Sequence, residues 1–255
     1  MIYDLWEDRN QLVSKSNTLV RKARYSLTAQ QQKIILYMVS RIKPGAEDFD
    51  TYEFDLKDMC MLFGITNNGK NYANFKRNIE ALVKKTFWIE TERSDYLIQW
   101  VNEVELRKGD ATVRLRFDSR LKPYLLDLRD NFTAYPVENI LCMESGYSIR
   151  LYEILKSYAY IGEYEDTIEH LKELLASADY DRFNNFKVKV LEVACNEINL
   201  YTDIEVSYKP IRTSRTITGI KFSIRKKENE ARVQAFLERG AVLNGEQKEV
   251  IDGEW

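Results

Sequence analysis

Residues 54–91 and 166–202 carry the same apolar pattern in the same order, and this internal repeat sharply limits the folds open to the chain. Asn74-Phe75-Lys76 falls onto Asn185-Phe186-Lys187, after which Phe75, Ile79, Leu82 and Val83 match Phe186, Val190, Val193 and Ala194. Upstream, Leu56, Met59, Leu62 and Phe63 match Ile168, Leu171, Leu174 and Leu175. Apolar residues three and four apart line one face of a helix. Each copy therefore reads as a short helix, a turn and a longer amphipathic helix, with alternating strands after it. That order is the layout of a winged helix. The expected fold class is α+β: two tandem winged-helix (helix-turn-helix) domains related by internal duplication.

With 255 residues, each copy has enough chain for its own core. The expected division is residues 1–130, residues 131–240 and a flexible acidic tail over 241–255, with the boundary in Arg129–Val137 beside Pro136. Residues 8–24 are polar and compatible with a helix. A helix is expected over Leu27–Ile42, with Thr28 and Gln31 at capping-box spacing and Pro44-Gly45 as its stop. Asp55 is placed to cap the helix Leu56–Phe63, and the longer helix spans about 71–85. One strand is expected over 96–106, another over 111–117, and a short helix over 121–128. In the second copy, helices over 147–160, 168–175 and 180–199 precede strands 204–208 and 220–224. The connection Lys209–Gly219 then reads as a loop, and a last helix spans about 229–240. In the stripe of the second long helix, Phe186, Val190 and Val193 are expected to point inward.

The formal net charge is −2, yet the charges are segregated. Residues 182–227 hold ten Lys or Arg against four Asp or Glu, while 161–181 hold seven acids against one Lys. A basic block in an acidic chain is the pattern of a local phosphate-facing surface. No apolar run approaches the ~20 residues that span a bilayer, and Met1–Asp8 lacks the features of a signal peptide. Cys60, Cys142 and Cys195 are widely spaced among apolar residues, as expected of buried free thiols in a reducing cytoplasm.

Little in the sequence points to catalysis. Gly64 to Asn71 matches the spacing of a phosphate-binding loop until its last position, where Asn71 replaces the hydroxyl that would hold magnesium. The match also follows an amphipathic helix instead of a buried strand. His170 is the only histidine, which excludes paired-histidine metal sites, and it reads as a surface residue. Glu163, Glu165 and Asp166 read as an exposed acidic loop. No catalytic residue, metal site or cofactor is expected, and the chain is read as a non-enzyme.

In a helix-turn-helix the second helix enters the major groove, where amide and cationic side chains suit purine edges. Arg182, Asn184, Asn185, Lys187 and Lys189 are the groove-facing candidates in the second copy, which reads as the main DNA reader. Lys70, Asn71, Asn74, Lys76 and Arg77 occupy the comparable surface in the first copy. Lys209, Arg212, Arg215 and Lys221, on the basic hairpin, would meet phosphates or the neighbouring minor groove. The first copy is also the better candidate for binding protein, because Phe87, Trp88, Tyr96 and Trp100 flank its long helix.

The chain resembles the iteron-binding replication initiators of theta-replicating plasmids. The resemblance rests on Lys15-Ser16-Asn17, Tyr25-Ser26-Leu27-Thr28 and Gln32-Lys33-Ile34, then on Phe75-Lys76 and Ser148 to Lys156, and finally on Phe186-Lys187 and Ile220-Lys221-Phe222. It implies tandem winged helices straddling one directly repeated origin element, each reading one half, about one helical turn apart (~10 bp). It implies further that monomers help to open the origin and recruit a host initiator and helicase. Homodimers formed through the first domain would repress the initiator's own gene. Two other classes stay open on the residues alone: a dimeric winged-helix repressor without a replication role, and a protein-interaction scaffold.

Overall fold

A computed structural model of the chain describes residues 11–62, 69–90, 93–107 and 112–228. The expectations for Met1–Asp8, for a helix over 229–240 and for the acidic tail lie outside the described residues, as does most of the Gly64–Asn71 loop.

The first strand, β1 (Leu12–Ser16), lies where a helix-compatible stretch was expected. Period two wins because Val13 and Lys15 are buried on one side of it. Ser16 then starts α1 (Asn17–Lys22) by accepting a hydrogen bond from the Leu19 N–H. In α2 (Ala29–Ser40) the capping box forms as expected: the Thr28 side chain accepts from Gln31 N, and Gln31 Oε1 from Thr28 N.

The repeat then appears twice in space. In the first domain α2 is followed by β2 (Tyr52–Asp55), α3 (Leu56–Leu62), α4 (Gly69–Val83), β5 (Val101–Leu106) and β6 (Thr112–Phe117), with sheet order β2-β6-β5. In the second, α7 (Gly146–Ser157) is followed by β8 (Glu163–Thr167), α8 (Ile168–Leu174), α9 (183–201), β9 (Ile204–Thr213) and β10 (Thr216–Lys226), with sheet order β8-β10-β9. The matched apolar positions are buried in both copies: Phe75 and Phe186, Ile79 and Val190, Met59 and Leu171. Asp55 caps α3, its carboxylate accepting from Lys57 N at 2.6 Å.

The first domain has additions. The expected strand 96–106 is two strands, β4 (Asp95–Gln99) and β5, because Trp100 between them turns into the core and stacks on Phe87 at 4.7 Å. Strand β4 instead forms a hairpin with β3 (Thr86–Glu90). The helix expected over 121–128 shrinks to α5 (Lys122–Leu125). Segment 129–137 contains β7 (Phe132–Pro136), paired antiparallel with β1 so that Leu12 faces Pro136. The short α6 (Glu138–Leu141) then leads to α7.

Two loops expected in the second domain are strands. Glu163–Thr167 is the edge strand β8, anchored by Tyr164, which stacks on Tyr158 at 4.5 Å. The hairpin β9–β10 continues to Thr213 and Thr216, leaving only Ser214-Arg215 as its turn, with Ser214 in the left-handed region (φ 59°).

One apolar core runs through both domains. Nearly all of α7 is buried, because α1 and α2 pack on it as well as α9. Among the described residues no helix is long and apolar enough to cross a membrane.

Candidate nucleic-acid interface

The second domain presents α9 through a pinned turn. Thr167 caps α8 by accepting from His170 N, and the segment after α8 bends through Ala176 at φ 50°. Lys172 donates to the Asp181 carbonyl and lies 5.8 Å from the centre of the Phe186 ring. His170 is on the surface as expected, its Nδ1 2.6 Å from the Asp166 carboxylate.

Helix α9 is not uniform. After Phe183–Phe186 it widens into a π-helical segment, Lys187–Glu192, and returns to α over Val193–Tyr201. The residues explain the widening. Phe186, Val190, Ala194 and Ile198 recur every four positions and are all fully buried. A straight α-helix turns 3.6 residues per turn, so such a stripe would drift off the core. A π segment absorbs the drift. The same insertion corrects the repeat alignment: Val193, expected inward beside Leu82, is 38% exposed, and Ala194 takes the core position.

Five of the second-copy candidates gather on this helix. Arg182 precedes its first turn, Asn184 and Asn185 are exposed within it, and Lys189 is exposed in the π segment. Lys187 is different, because its ammonium is 3.2 Å from the Glu192 carboxylate, five residues on. That separation brings side chains together in a π turn.

On the hairpin Lys209, Arg212 and Arg215 are exposed, and Arg215 sits in the turn itself. Lys221 lies away from the tip, opposite Lys209, and its ammonium is 2.8 Å from Glu163. The hydrogen bond from that ammonium, with the glutamate's charge, raises the Lys221 pKa above its usual value. The structure thus brings Arg182, Asn184, Asn185 and Lys189 together on one helix and Lys209, Arg212 and Arg215 on one hairpin. It ties Lys187 and Lys221 to acids.

The first domain offers a more self-contained surface on α4. Lys70 and Asn71 begin that helix, and their side chains lie outside the described residues. Asn74 accepts a hydrogen bond from Arg77, and Lys76 is 4.0 Å from Glu80. Of the aromatic residues beside it, Phe87 and Trp100 belong to the core, whereas Trp88 and Tyr96 are exposed.

One residue on the exposed side of α9 escaped the sequence reading. Val188 is 46% exposed where the first copy carries Arg77, and that difference between the copies was the available signal.

Residues 12–156 match the family model described as Initiator Replication protein, WH1, and residues 167–224 match Initiator Rep protein, WH2. The chain belongs to this family of replication initiators. Its two domains are the winged helices that these descriptions number. Among curated relatives it is similar to a replication initiation protein of Escherichia coli, 25% identical over 207 residues. That match takes in 76% of this chain and 64% of the relative's length. An uncharacterized 27.6 kDa protein of Escherichia coli is 22% identical over 232 residues, covering 85% of this chain and 95% of that one. Among solved structures, the Pi initiator protein in complex with iteron DNA superposes with a TM-score of 0.70 at 20% identity. The superposition covers 87% of this chain and 99% of that chain, and it confirms the fold.

Proposed function

We propose that this family member is a sequence-specific double-stranded DNA-binding protein that binds direct repeats at a plasmid origin and helps to open it. The observation that carries the reading is the surface of the second domain. Arg182 and Lys189 on α9, with Lys209, Arg212 and Arg215 on the hairpin, are cations that no acid pairs among the described residues. Along α9, Arg182 and Lys189 stand on either side of the exposed amides Asn184 and Asn185. Cations suit phosphates and amides suit adenine edges, so the helix and the hairpin together offer both positioning and base reading. The Pi initiator, whose fold this chain shares, was crystallised on iteron DNA, which supports assigning the same class of ligand.

On this reading the second domain is the main reader. The first contributes α4 to the other half-site and the exposed Trp88 and Tyr96 to a homodimer, with a host initiator and helicase as later partners. The test is selection of binders from a random duplex library with the purified chain. The expected product is a site of about two helical turns with two unlike halves. A symmetric palindrome would indicate a dimeric repressor, and no enrichment would remove DNA reading.

A further inference from the structure

The DNA-reading face of α9 contains two apolar side chains that the fold itself does not use. Val188 is 46% exposed and Val193 is 38% exposed, and neither belongs to the core. They are five residues apart, Val188 inside the π segment and Val193 the first residue after it, the same separation at which the adjacent Lys187 and Glu192 approach to 3.2 Å. β-Branched residues are poor helix formers, and helix formation gives no reason for two of them on the open side. Around them stand Asn185 and Lys189, groups suited to a polar groove.

The major groove presents one apolar group on its base edges, the 5-methyl of thymine, which 5-methylcytosine also carries. We propose that Val188, with Val193 behind it, is a specificity-determining contact for a 5-methylpyrimidine in the half-site read by the second domain. The inference rests on the DNA-binding reading above. The π segment is then part of the specificity: by holding Lys187 against Glu192, it leaves apolar surface at the place where the first copy presents Arg77. Thymine is the expected source of the methyl group.

The test uses the full chain and the duplex recovered by random selection, at one fixed salt concentration. Each thymine of the second half-site is replaced singly by deoxyuridine, which removes only the methyl group. At one position, or at two adjacent ones, the wild type should lose about four-fold in affinity, as expected for one buried methyl. Val188→Ala should bind the parent duplex more weakly and no longer distinguish thymine from uracil there. Val193→Ala should show the same effect more weakly, and unchanged thermal melting of both variants would show an intact fold. Cytosine and 5-methylcytosine at the same position separate the methyl group from the rest of the base edge, with only the methylated base restoring affinity.

Equal affinity for all the uracil duplexes would overturn the inference while leaving DNA reading intact. So would an undiminished thymine preference in Val188→Ala, or a second half-site without thymine. Failure to select any duplex would instead remove the DNA reading, and this inference with it.

Discussion

Lys15 and Glu153 are fully buried, which is costly unless each satisfies the other. The Lys15 ammonium donates to Glu153 Oε1 at 2.8 Å, the Tyr135 hydroxyl donates to the same oxygen at 2.8 Å, and Tyr25 donates to Oε2 at 3.3 Å. Burial pushes the Glu153 pKa up, but the charges of Lys15 and Arg150 and these hydrogen bonds outweigh it and hold the carboxyl below its usual value. Its stabilising contribution is therefore full above the ordinary glutamate range and is lost as pH falls through the lowered folded value. Lys15→Met should cost about 3–5 kcal/mol in urea unfolding at neutral pH, because it strands a buried carboxylate. Glu153→Gln should lose part of the acid-dependent destabilisation seen in the wild type. An unchanged midpoint in Lys15→Met would show that the pair contributes nothing. None of this was legible in the sequence, where nothing in the residues around Lys15 or Glu153 marks either as buried. Burial on every side of α7 depends on its partner helices, which one helix's periodicity does not reveal.

At the scale of elements, the repeat made the helices of both domains legible, since positions three and four apart declare a buried face without knowledge of its partner. Strands β2 and β8 were missed because each has only four or five residues, with charged side chains on its open face. The π segment was missed because a four-residue recurrence looks like an α-helical stripe until it must stay on a core for three turns. The exposure of Arg182, Asn184, Asn185, Lys189, Lys209, Arg212 and Arg215 was legible by residue type, but the pairings that occupy Lys187 and Lys221 were not, as both arise from three-dimensional neighbours. Strand β10 supplies a test of the second sheet. A Cβ on Gly219 would lie 2.7 Å from the Asp166 carbonyl oxygen in β8. Gly219→Ala should therefore push the edge strand away and destabilise the chain by about 1–3 kcal/mol, read from its thermal midpoint. The hairpin turn supplies another. Arg215→Ala should weaken binding to all duplexes alike and make the slope of log affinity against log salt shallower by about 0.9, the loss of one phosphate contact. An unaltered slope would take the turn off the DNA.

For the whole molecule, the decisive feature is that α7 packs both on α9 and on α1, α2 and β7, so it forms the seam between the two winged helices. Glu153 holds Lys15 of β1, while Arg150 donates to the carbonyl of Ala23 on one side and of Leu174 on the other. Arg21 donates to the side chain and carbonyl of Ser157, and its guanidinium lies 4.0 Å from the centre of the Tyr158 ring. With an apolar core running through the same seam, the two winged helices are held as one body instead of hanging on a linker. Under the proposed function this has a consequence for spacing. Two readers on a flexible tether tolerate altered separation, because effective concentration falls slowly with distance. Two readers fixed to α7 do not. Inserting about five base pairs between the half-sites, half of a ~10 bp turn, moves the second half-site to the opposite face of the duplex. Affinity should then fall to that of the second half-site alone, and inserting a full turn should not restore it, since the rigid seam cannot lengthen. Recovery at the full-turn insertion in a binding titration would mean that the seam opens on DNA. In that case Arg150→Ala, which weakens the seam, should make the recovery more complete.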